Sequence, residues 1–527
     1  MHSLFWTNLL DLITNHQIMN NRLVKCIGIL CIVALITTSF KTYDGWQSKL
    51  VTLNPDGSLT YHPDEQGNIL PDFSRVGYHE GDKPIPDVAV VKTIEAPKDG
   101  NASQLIQDAI NEVSKLNPNA DGYRGAVLLK KGIYKVPDSL RINTSGVVLR
   151  GEGLGKGGTV IVASGTGQRT LLHIGGSGSA REVSGTRVNI TDNFVPVGAK
   201  SFNVQSSAGY KVGDRIILYR PSPENWIHDL KMDQILAKKD TKQWKAGEYD
   251  MHYERTITKI EGDKVYIDNP VVMQLDTRYG GGAIYKYTFN GRIKEVGVEN
   301  IAFQSDYLKD DDENHGWTAI DLRNIENGWV RNVSSKYFGY ACVSIDNGAR
   351  NITVTDCKCT DAKSQITGGR RYSFNVTGQL NLVMNCQAED GRHDNVTGAR
   401  VCGPNVFYNN TAKHTHADAG PHHRWATGTL YDNIITDGEI NVQDRGNMGS
   451  GHGWSGVTQV LWNCTASKAA VQKPWVSGQN YCIGLHGSKD AGHFKDRDEG
   501  YWEGQDRKGL EPASLYMAQF KARHLTK

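Results

Sequence analysis

Short apolar segments that end in Asn or Asp recur throughout the second half of the chain. Each contains alternating apolar and Thr positions, and in several of them Cys or Asn directly follows the polar residue. The terminal positions lie 23 to 31 residues apart, at Asn332, Asp356, Asn385, Asn409, Asp432 and Asn463. A repeat of this length with a strand-like core predicts a stacked β-solenoid, in which each turn buries its face only against its neighbours.

The fold class predicted from this repeat is all-β, a parallel β-helix over residues 96–505. Over residues 190–290 the coil pattern breaks, and two strand pairs predict an inserted β subdomain. Residues 506–527 predict a C-terminal tail with a short helix. The chain is long enough for one extended solenoid domain to bury a large core.

The region before the coils predicts an arm and a capping helix. Residues 41–95 are polar and interrupted by Pro and Gly, which predicts an extended N-terminal arm along the solenoid. Over residues 101–113 apolar positions recur at helical spacing behind Asn101 or Ser103 as the cap. We expect this helix to cover the open end of the β-helix, whose first strand would otherwise expose an unpaired edge.

The first forty residues have the layout of a secretory signal peptide. Arg22 and Lys25 precede an apolar run over residues 27–36, and Met19 is the natural start. The run is short for a membrane span, so residues 1–40 predict an export signal and a mature protein without a membrane span. We therefore expect a periplasmic or extracellular protein.

Charge and cysteine content narrow the function further. Lys and Arg number 59 against 57 Asp and Glu, so the net charge is near neutral and nothing argues for nucleic acid as a partner. We also expect a monomer. Seven of the nine cysteines lie beyond residue 40, an odd number that argues against a disulfide framework. Three of them follow the repeat's Asn or Asp, and Cys357 and Cys386 lie within reach of each other. We expect buried free thiols.

The N-terminal coils resemble a known superfamily. The helix over residues 101–113, the strand GAVLLKKGIY at residues 125–134 and the strand GVVLRGEG at residues 146–153 are similar to the first module of pectate-lyase-like β-helix proteins. The resemblance implies a right-handed parallel β-helix and a carbohydrate-active role. That superfamily includes lyases, hydrolases, epimerases and phage tailspikes, so the fold does not decide the chemistry.

Two rows of ionisable residues follow from the repeat. Counting five residues on from each terminal Asn or Asp gives Asp361, Asp390, His414 and Asp437. Counting seven gives Lys363, Arg392, His416 and Glu439. Because equal positions in successive coils lie above one another, about one strand spacing apart, the two rows predict a charged face. The alternative is a solvated surface.

These residue types suit β-elimination from a uronic acid. The reaction needs a cation for the sugar carboxylate, a base for the C5 proton and an acid for the leaving oxygen. Some alginate-cleaving lyases of the superfamily use a Lys base and an Arg acid one coil apart, which implies these roles for Lys363 and Arg392. His416 and His423 compete for the role of base, because a histidine can act near pH 7 without special tuning.

Two loops rich in His, Arg and Trp follow, at residues 414–425 and 441–454. We predict that they bind the substrate, together with a basic residue from an earlier coil; the candidates are Arg371, His414, His422, Arg424, Trp425, Arg445, His452 and Trp454. No cofactor is required by these residues. Asp361, Asp390 and Asp394 are candidate oxygen ligands for Ca²⁺, although no spacing motif supports such a site.

The leading prediction is thus an exported polysaccharide lyase that acts on an anionic, uronate-containing polysaccharide. A glycoside hydrolase on the same fold is the alternative, with Asp390, Asp437 and Asp444 as candidate carboxylates. A non-catalytic glycan-binding solenoid is the third reading.

Overall fold

The computed structural model describes residues 45–98, 100–155 and 157–525. The chain divides after Trp46, and the description below concerns the unit that begins at Gln47. The predicted signal segment at residues 1–40 lies outside the described residues. Among the described residues no helix is both long and apolar enough to cross a membrane.

Three parallel sheets, named A, B and C, wind around one apolar core. Each coil contributes one strand to each sheet, and every strand pairs in parallel with its counterpart one coil further on. This is the right-handed parallel β-helix that the sequence predicts, since parallel crossovers are right-handed almost without exception. Two long strands, Ile293–Ser305 and Ile325–Lys336, run through sheets A and B without a break.

The other strands are as follows. Sheet A contains Val90–Ile94, Gly125–Leu129, Val147–Gly151, Arg350–Thr355, Leu382–Met384, Asn405–Tyr408, Ala426–Asp432, Gly456–Trp462, Tyr481–Ile483 and Tyr501–Glu503. Sheet B contains Gly132–Val136, Thr159–Ala163, Lys358–Thr360, Gln387–Glu389, Thr411–Lys413 and Ile435–Thr436. Sheet C contains Leu140–Ile142, Arg169–Gly175, Gly316–Arg323, Ala341–Ile345, Phe374–Val376, Asn395–Thr397, Asp418–Pro421 and Glu439–Val442. The strands Thr465–Val471 and His486–Asp490 contribute to both B and C.

The recurring Asn or Asp forms the corner between sheets A and B. These residues adopt left-handed backbone conformations, with φ between 50° and 57° from Asn332 to Asn463, which Asn and Asp tolerate better than other side chains. Neighbouring amides also bond between coils, Asn409 donating to Asn385 at 2.8 Å. In one coil the corner residue is Asn433 (φ 55°) and not Asp432, which corrects the predicted register by one residue.

That correction changes the predicted rows. Asp361, Asp390 and His414 share a left-handed corner between sheets B and C, as the fifth-position row requires. Because Ala412 pairs with Thr436, Asp437 lies one position out of that row. Glu439 likewise pairs with Asp418 of the preceding coil, so it is not in register with His416.

The cysteines differ in part from the prediction. Cys342 and Cys359 form a disulfide between neighbouring segments of the β-helix wall, with their Cα atoms 5.8 Å apart. Cys357, Cys386, Cys464 and Cys482 are free and buried in the core, as expected. The sequence did not indicate this disulfide, because Cys342 and Cys359 occupy different positions of the repeat.

The helix predicted over residues 101–113 spans Ser103–Ser114 and is named α1. Its apolar face, with Ile106, Ile110 and Val113, packs into the same core as the first coils, so it covers that end of the solenoid. The strand Val90–Ile94 already pairs in sheet A, so the β-helix begins there and not at residue 96.

The inserted subdomain is an antiparallel sheet that begins nine residues earlier than predicted. Its strands are Arg181–Glu182, Val188–Asn189, Ser201–Asn203, Arg215–Arg220, Met251–Glu261, Lys264–Ile267 and Ala283–Thr288. The short helix Glu224–Asp229, named α2, and the 3-10 turn Thr277–Tyr279 belong to it. Its apolar core continues into the later coils through Trp425 and Trp454, which it buries completely.

The remaining elements are short. They are the strands Trp46–Gln47, Val51–Leu53, Leu59–Tyr61, Phe194–Val195, Leu275–Asp276 and Leu510–Glu511, and the 3-10 turn Tyr78–Gly81. The predicted C-terminal helix spans Leu515–Leu525 and is named α3. The buried Asp432 carboxylate anchors it by accepting hydrogen bonds from the Tyr516 backbone nitrogen at 2.7 Å and the Ser514 hydroxyl at 2.8 Å.

Candidate functional site

The outer face of sheet C carries the candidate functional residues. Along each strand apolar residues point into the core and polar ones alternate outward, as Asp321 does between Ile320 and Leu322. From Gly316–Arg323 to His486–Asp490 the sheet has eight strands, so this face extends over roughly 34 Å at 4.8 Å per step.

Two clefts open on this face. The N-terminal cleft, of about 630 Å³, is lined by His173, Trp317, Asp321, Arg323, Tyr340 and Asp346 among others. The C-terminal cleft, of about 730 Å³, is lined by His416, Asp418, Glu439, Arg445, Lys468 and Asp490 among others. In the C-terminal cleft Lys468 bridges Glu439 at 3.0 Å and Asp490 at 3.1 Å.

A cluster of five rings lies between the clefts and is named the histidine cluster; it comprises Tyr372, His393, His422, His423 and His452. Four successive coils contribute to it. The centroids of His393 and His422 are 4.4 Å apart, and those of His422 and His452 are 5.1 Å apart. The Tyr372 hydroxyl and His422 Nε2 form a hydrogen bond of 3.1 Å.

The histidine cluster touches both clefts. The Tyr372 ring packs 5.3 Å from Tyr340 of the N-terminal cleft. On the other side His393 Nδ1 bonds the Asp418 backbone oxygen at 2.7 Å, and the Asp418 carboxylate is ion-paired with Arg445. Tyr372 and His422 are each 8% exposed and lie on coils between those that line the two clefts.

Burial keeps the imidazoles of the cluster neutral. It lowers the pKa of His423 to about 4 and that of His452 to about 3, helped by nearby arginines and, for His452, by His423. The pKa of His422 is lowered further, by burial and then by neighbouring imidazoles, and that of His393 by burial and then by Arg392 and Arg445. At neutral pH all four rings are therefore uncharged.

Arginines supply the positive charge around the cluster. Burial raises the pKa of Tyr372, while the charge of Arg392 and a hydrogen bond from it oppose that rise. Burial lowers the pKa of Arg445 to about 10, which leaves it protonated at neutral pH. Among the described residues several buried nitrogens here have no hydrogen-bond partner, namely His393 Nε2, His422 Nδ1, His423 Nδ1, His452 Nδ1 and Arg445 Nε.

The structure brings together six of the predicted site residues. Arg392, His422, His423, Arg445 and His452 lie in or against the histidine cluster, and His416 lines the adjoining C-terminal cleft. They come from different coils whose loops differ in length, so the sequence alone did not show which of them meet.

Lys363 does not fit the role of base. Its ammonium bonds Asp310 at 2.9 Å and lies over the Tyr307 and Tyr337 rings at 5.2 and 5.7 Å. The hydrogen bond to Asp310 raises the pKa of Lys363, whereas a base needs a lowered pKa. The sequence could not reveal this partner, because Asp310 lies in a loop two coils earlier.

Several predicted binding residues have structural roles instead. Trp425 and Trp454 are fully buried in the core shared with the inserted subdomain and offer no face to a sugar. Arg424 bonds the Ser450 backbone oxygen at 3.0 Å, and Arg371 bonds the Ser364 backbone oxygen at 2.6 Å. His414 is exposed and pairs with Glu389 at 3.2 Å.

Two of the three aspartates predicted for Ca²⁺ are engaged by other side chains. Asp361 pairs with Lys336 at 3.3 Å, and Asp394 is buried against the Ser373 hydroxyl at 2.5 Å. Burial, then the charges of Asp437 and Asp390, raise the pKa of Asp394 to about 7. Over the described residues no group of three or more His, Cys, Asp or Glu side chains could hold a metal ion, so the three aspartates form no such group.

Sequence reasoning gave no role in the site to His393 or Asp418, nor to the N-terminal cleft, and it considered Tyr372 only as a phenolic group beside Arg370 and Arg371. Arg392 belongs to the seventh-position row, and His393 is the next residue in the chain. The position of Arg392 in the repeat could therefore have indicated that His393 lies near the site. Tyr372 follows the basic pair Arg370–Arg371. Asp321 and Asp346 lie two positions apart in the register of neighbouring sheet C strands, but no repeat landmark in the sequence marks either residue.

None of the protein-family models searched matches the chain, and neither does any curated protein sequence. Among solved structures, the Gp54 tailspike of Acinetobacter baumannii bacteriophage AP22, in complex with A. baumannii capsular saccharide, is similar with 12% identity and a TM-score of 0.29, over 79% of this chain and 74% of the tailspike.

Two further structures are similar to the same degree. A 1,3-α-1,4-β-D-galactose-4-sulfate-3,6-anhydro-D-galactose-2-sulfate 4 galactohydrolase has 11% identity and a TM-score of 0.32, over 79% of this chain and 89% of that one. PfbA, a surface adhesin of Streptococcus pneumoniae, has 10% identity and a TM-score of 0.28, over 77% and 88%. At these scores the likenesses carry no argument about function, and the pectate-lyase-like resemblance stays a prediction.

Proposed function

We propose that this protein is an exported polysaccharide lyase that cleaves a uronate-containing polysaccharide by β-elimination. The observation that carries the proposal is the hydrogen bond between the Tyr372 hydroxyl and His422 Nε2, with Arg392 beside the phenol. A neutral imidazole, a phenol and a fixed guanidinium are the three group types that the reaction needs.

Arg392 neutralises the sugar carboxylate in this proposal. A guanidinium binds a planar carboxylate through two parallel hydrogen bonds and keeps its charge at any physiological pH. Neutralising the carboxylate makes the C5 proton more acidic, because the carbanion that forms on its loss spreads its charge onto the carboxylate. Arg445 adds positive charge from the C-terminal side of the cluster.

Tyr372 and His422 move the proton. The Tyr372 oxygen takes the C5 proton while its own proton passes to His422 Nε2, which is neutral because burial lowers its pKa. The C5–H and C4–O4 bonds break, and a C4=C5 double bond forms. The leaving O4 takes a proton from Tyr372, and the imidazolium returns its proton to the phenol, so both groups end as they began.

The shape of the face supports a polymeric substrate. The phenol–imidazole pair lies between two clefts, and a chain cleaved in its interior needs contacts on both sides of the scissile bond. The face of about 34 Å, worked from eight strands, offers room for several sugar residues. Export follows from the predicted signal peptide and is part of the proposal.

A glycoside hydrolase is the second candidate. Asp418, Glu439 and Asp490 line the C-terminal cleft, and two carboxylates across a glycosidic bond are what hydrolysis needs. Each of the three is, however, already paired with Arg445 or Lys468. The carboxylates suggested by the sequence are less suitable, since Asp444 is buried and paired with Arg497, and Asp437 accepts backbone hydrogen bonds from His414 and Thr415.

The test is a screen of the purified protein against polygalacturonate, alginate, ulvan and glycosaminoglycans. We expect the ultraviolet absorbance of an unsaturated uronate to rise with at least one polymer and to be lost in His422→Ala and Arg392→Ala. New reducing ends without that absorbance would instead establish the hydrolase. Binding without either product would leave the third reading, a glycan-binding solenoid.

A further inference from the structure

The N-terminal cleft adjoins the proposed reaction site. Its strand Gly316–Arg323 is two steps from Phe374–Val376 in sheet C, which is about 10 Å. Tyr340 lines the cleft and packs on Tyr372, and its hydroxyl and that of Ser344 both accept bonds from the Asn375 amide. A sugar in this cleft would belong to the same chain as the one at Tyr372.

Carboxyl and hydroxyl groups form the floor of this cleft. The side chains of Asp321 and Asp346 are 16% and 22% exposed, and Ser344 beneath them is buried. The basic residues lie at the rim, where Arg323 is 62% exposed and Arg141 is exposed. Burial, and then the charge of Asp321, raise the pKa of Asp346.

One side of the cleft is an aromatic wall. Trp317 is half-buried and lies against Gly339, where a Cβ atom would come within 2.4 Å of the indole ring. Any side chain at residue 339 would therefore displace the indole. An indole face above hydroxyl and carboxyl groups suits a pyranose ring, whose carbon face packs on the aromatic ring while its hydroxyls donate to the acceptors.

These groups would disfavour a second uronate. A sugar carboxylate on this floor would face Asp321 and Asp346, and like charges brought together in a partly desolvated site cost binding energy. The rim guanidinium of Arg323 is already engaged, since it bonds Asp346 at 2.6 Å, and His173 lies 3.6 Å from Asp321. Around Tyr372, by contrast, Arg392 donates to the Gly368 backbone oxygen and favours an anionic sugar.

Building on the proposed lyase, we infer that the N-terminal cleft is a subsite for a neutral sugar, so that the substrate alternates uronate with neutral sugar residues. A hydroxyl bonded to a carboxylate contributes about 1.5 to 3 kcal/mol, which corresponds to roughly tenfold to a hundredfold in affinity. We therefore expect kcat/KM for alternating polymers to exceed that for homopolyuronates by about tenfold or more.

The experiment compares ulvan and glycosaminoglycans, which alternate, with polygalacturonate and polymannuronate, which do not. Each is tested by unsaturated product formation and by affinity electrophoresis, with the wild type, Asp321→Lys, Asp346→Asn and Trp317→Ala. We expect Trp317→Ala and Asp346→Asn to weaken action on the alternating polymers. Asp321→Lys should reduce the preference for them by about tenfold, by removing the repulsion of a second uronate.

Asp87→Asn is the matched control, because Asp87 is an exposed carboxylate paired with Arg150 away from both clefts. Equal action on both polymer classes, with unchanged ratios in the three variants, would overturn the inference and leave the lyase intact. Absence of unsaturated product with every polymer would overturn the proposed function. In that case only the binding measurements test the inference of a neutral-sugar subsite, and equal binding of the alternating polymers and the homopolyuronates would refute that inference.

Discussion

Replacing Tyr372 by Phe removes a single oxygen from the proposed reaction site. The ring stays, and with it the packing against Tyr340, His393 and His422 at centroid distances of 4.8 to 5.4 Å. Only the hydrogen bond between the hydroxyl and His422 is lost. The change therefore separates chemistry from folding better than an alanine substitution.

The substitution should change kcat far more than it changes the free energy of unfolding. Loss of a positioned acid–base group lowers kcat by about 10² to 10⁴-fold, which is about 3 to 5 kcal/mol in the barrier. Loss of one hydroxyl hydrogen bond lowers the free energy of unfolding by only about 1 kcal/mol. We expect kcat to fall and KM to change by less than threefold, since the arginines that bind the sugar carboxylate remain.

The assay is the initial rate of unsaturated uronate formation, with thermal unfolding followed in parallel. Tyr279→Phe is the matched control, because Tyr279 is equally buried, bonds Asp229 at 2.7 Å and lies in the inserted subdomain. If Tyr372→Phe kept kcat within threefold of the wild type, or if both variants lost activity equally, the role given to Tyr372 would be wrong.

Three further predictions follow. Lys363→Ala should lower kcat by less than about tenfold, since the bond to Asp310 raises the pKa of Lys363 and excludes it as base; a loss like that of Tyr372→Phe in the same assay would contradict this. The pKa of Asp394 is raised to about 7 in the folded state, so folding favours the protonated carboxyl, and the free energy of unfolding should decrease as pH rises from about 4 to about 7. In Asp394→Asn the free energy of unfolding, measured by denaturant titration at each pH, should depend less on pH. An unchanged pH dependence would refute this prediction. Cys342→Ser with Cys359→Ser should cost about 3 kcal/mol of stability, because the bond closes a loop of 17 residues; equal midpoints for the variant and the wild type would show that the disulfide does not form.

The sequence by itself determined the coil architecture. Asn and Asp recur where the backbone turns left-handed between sheets A and B, and apolar residues alternate along each strand. Both signals are local, because the corner conformation and the direction of a side chain depend on a few neighbouring residues. The one error among the predicted corner residues, Asp432 for Asn433, arose because both residues of that corner are polar.

Only the tertiary structure decided which side chains meet. The histidine cluster forms from four coils whose loops differ in length, and no local pattern fixes how those loops fold onto one another. The contact with Asp310 excludes Lys363 from its predicted role as base. Trp425 is buried by a subdomain that is inserted more than 130 residues earlier in the chain. Such contacts depend on long-range packing, which a repeat in the sequence does not encode.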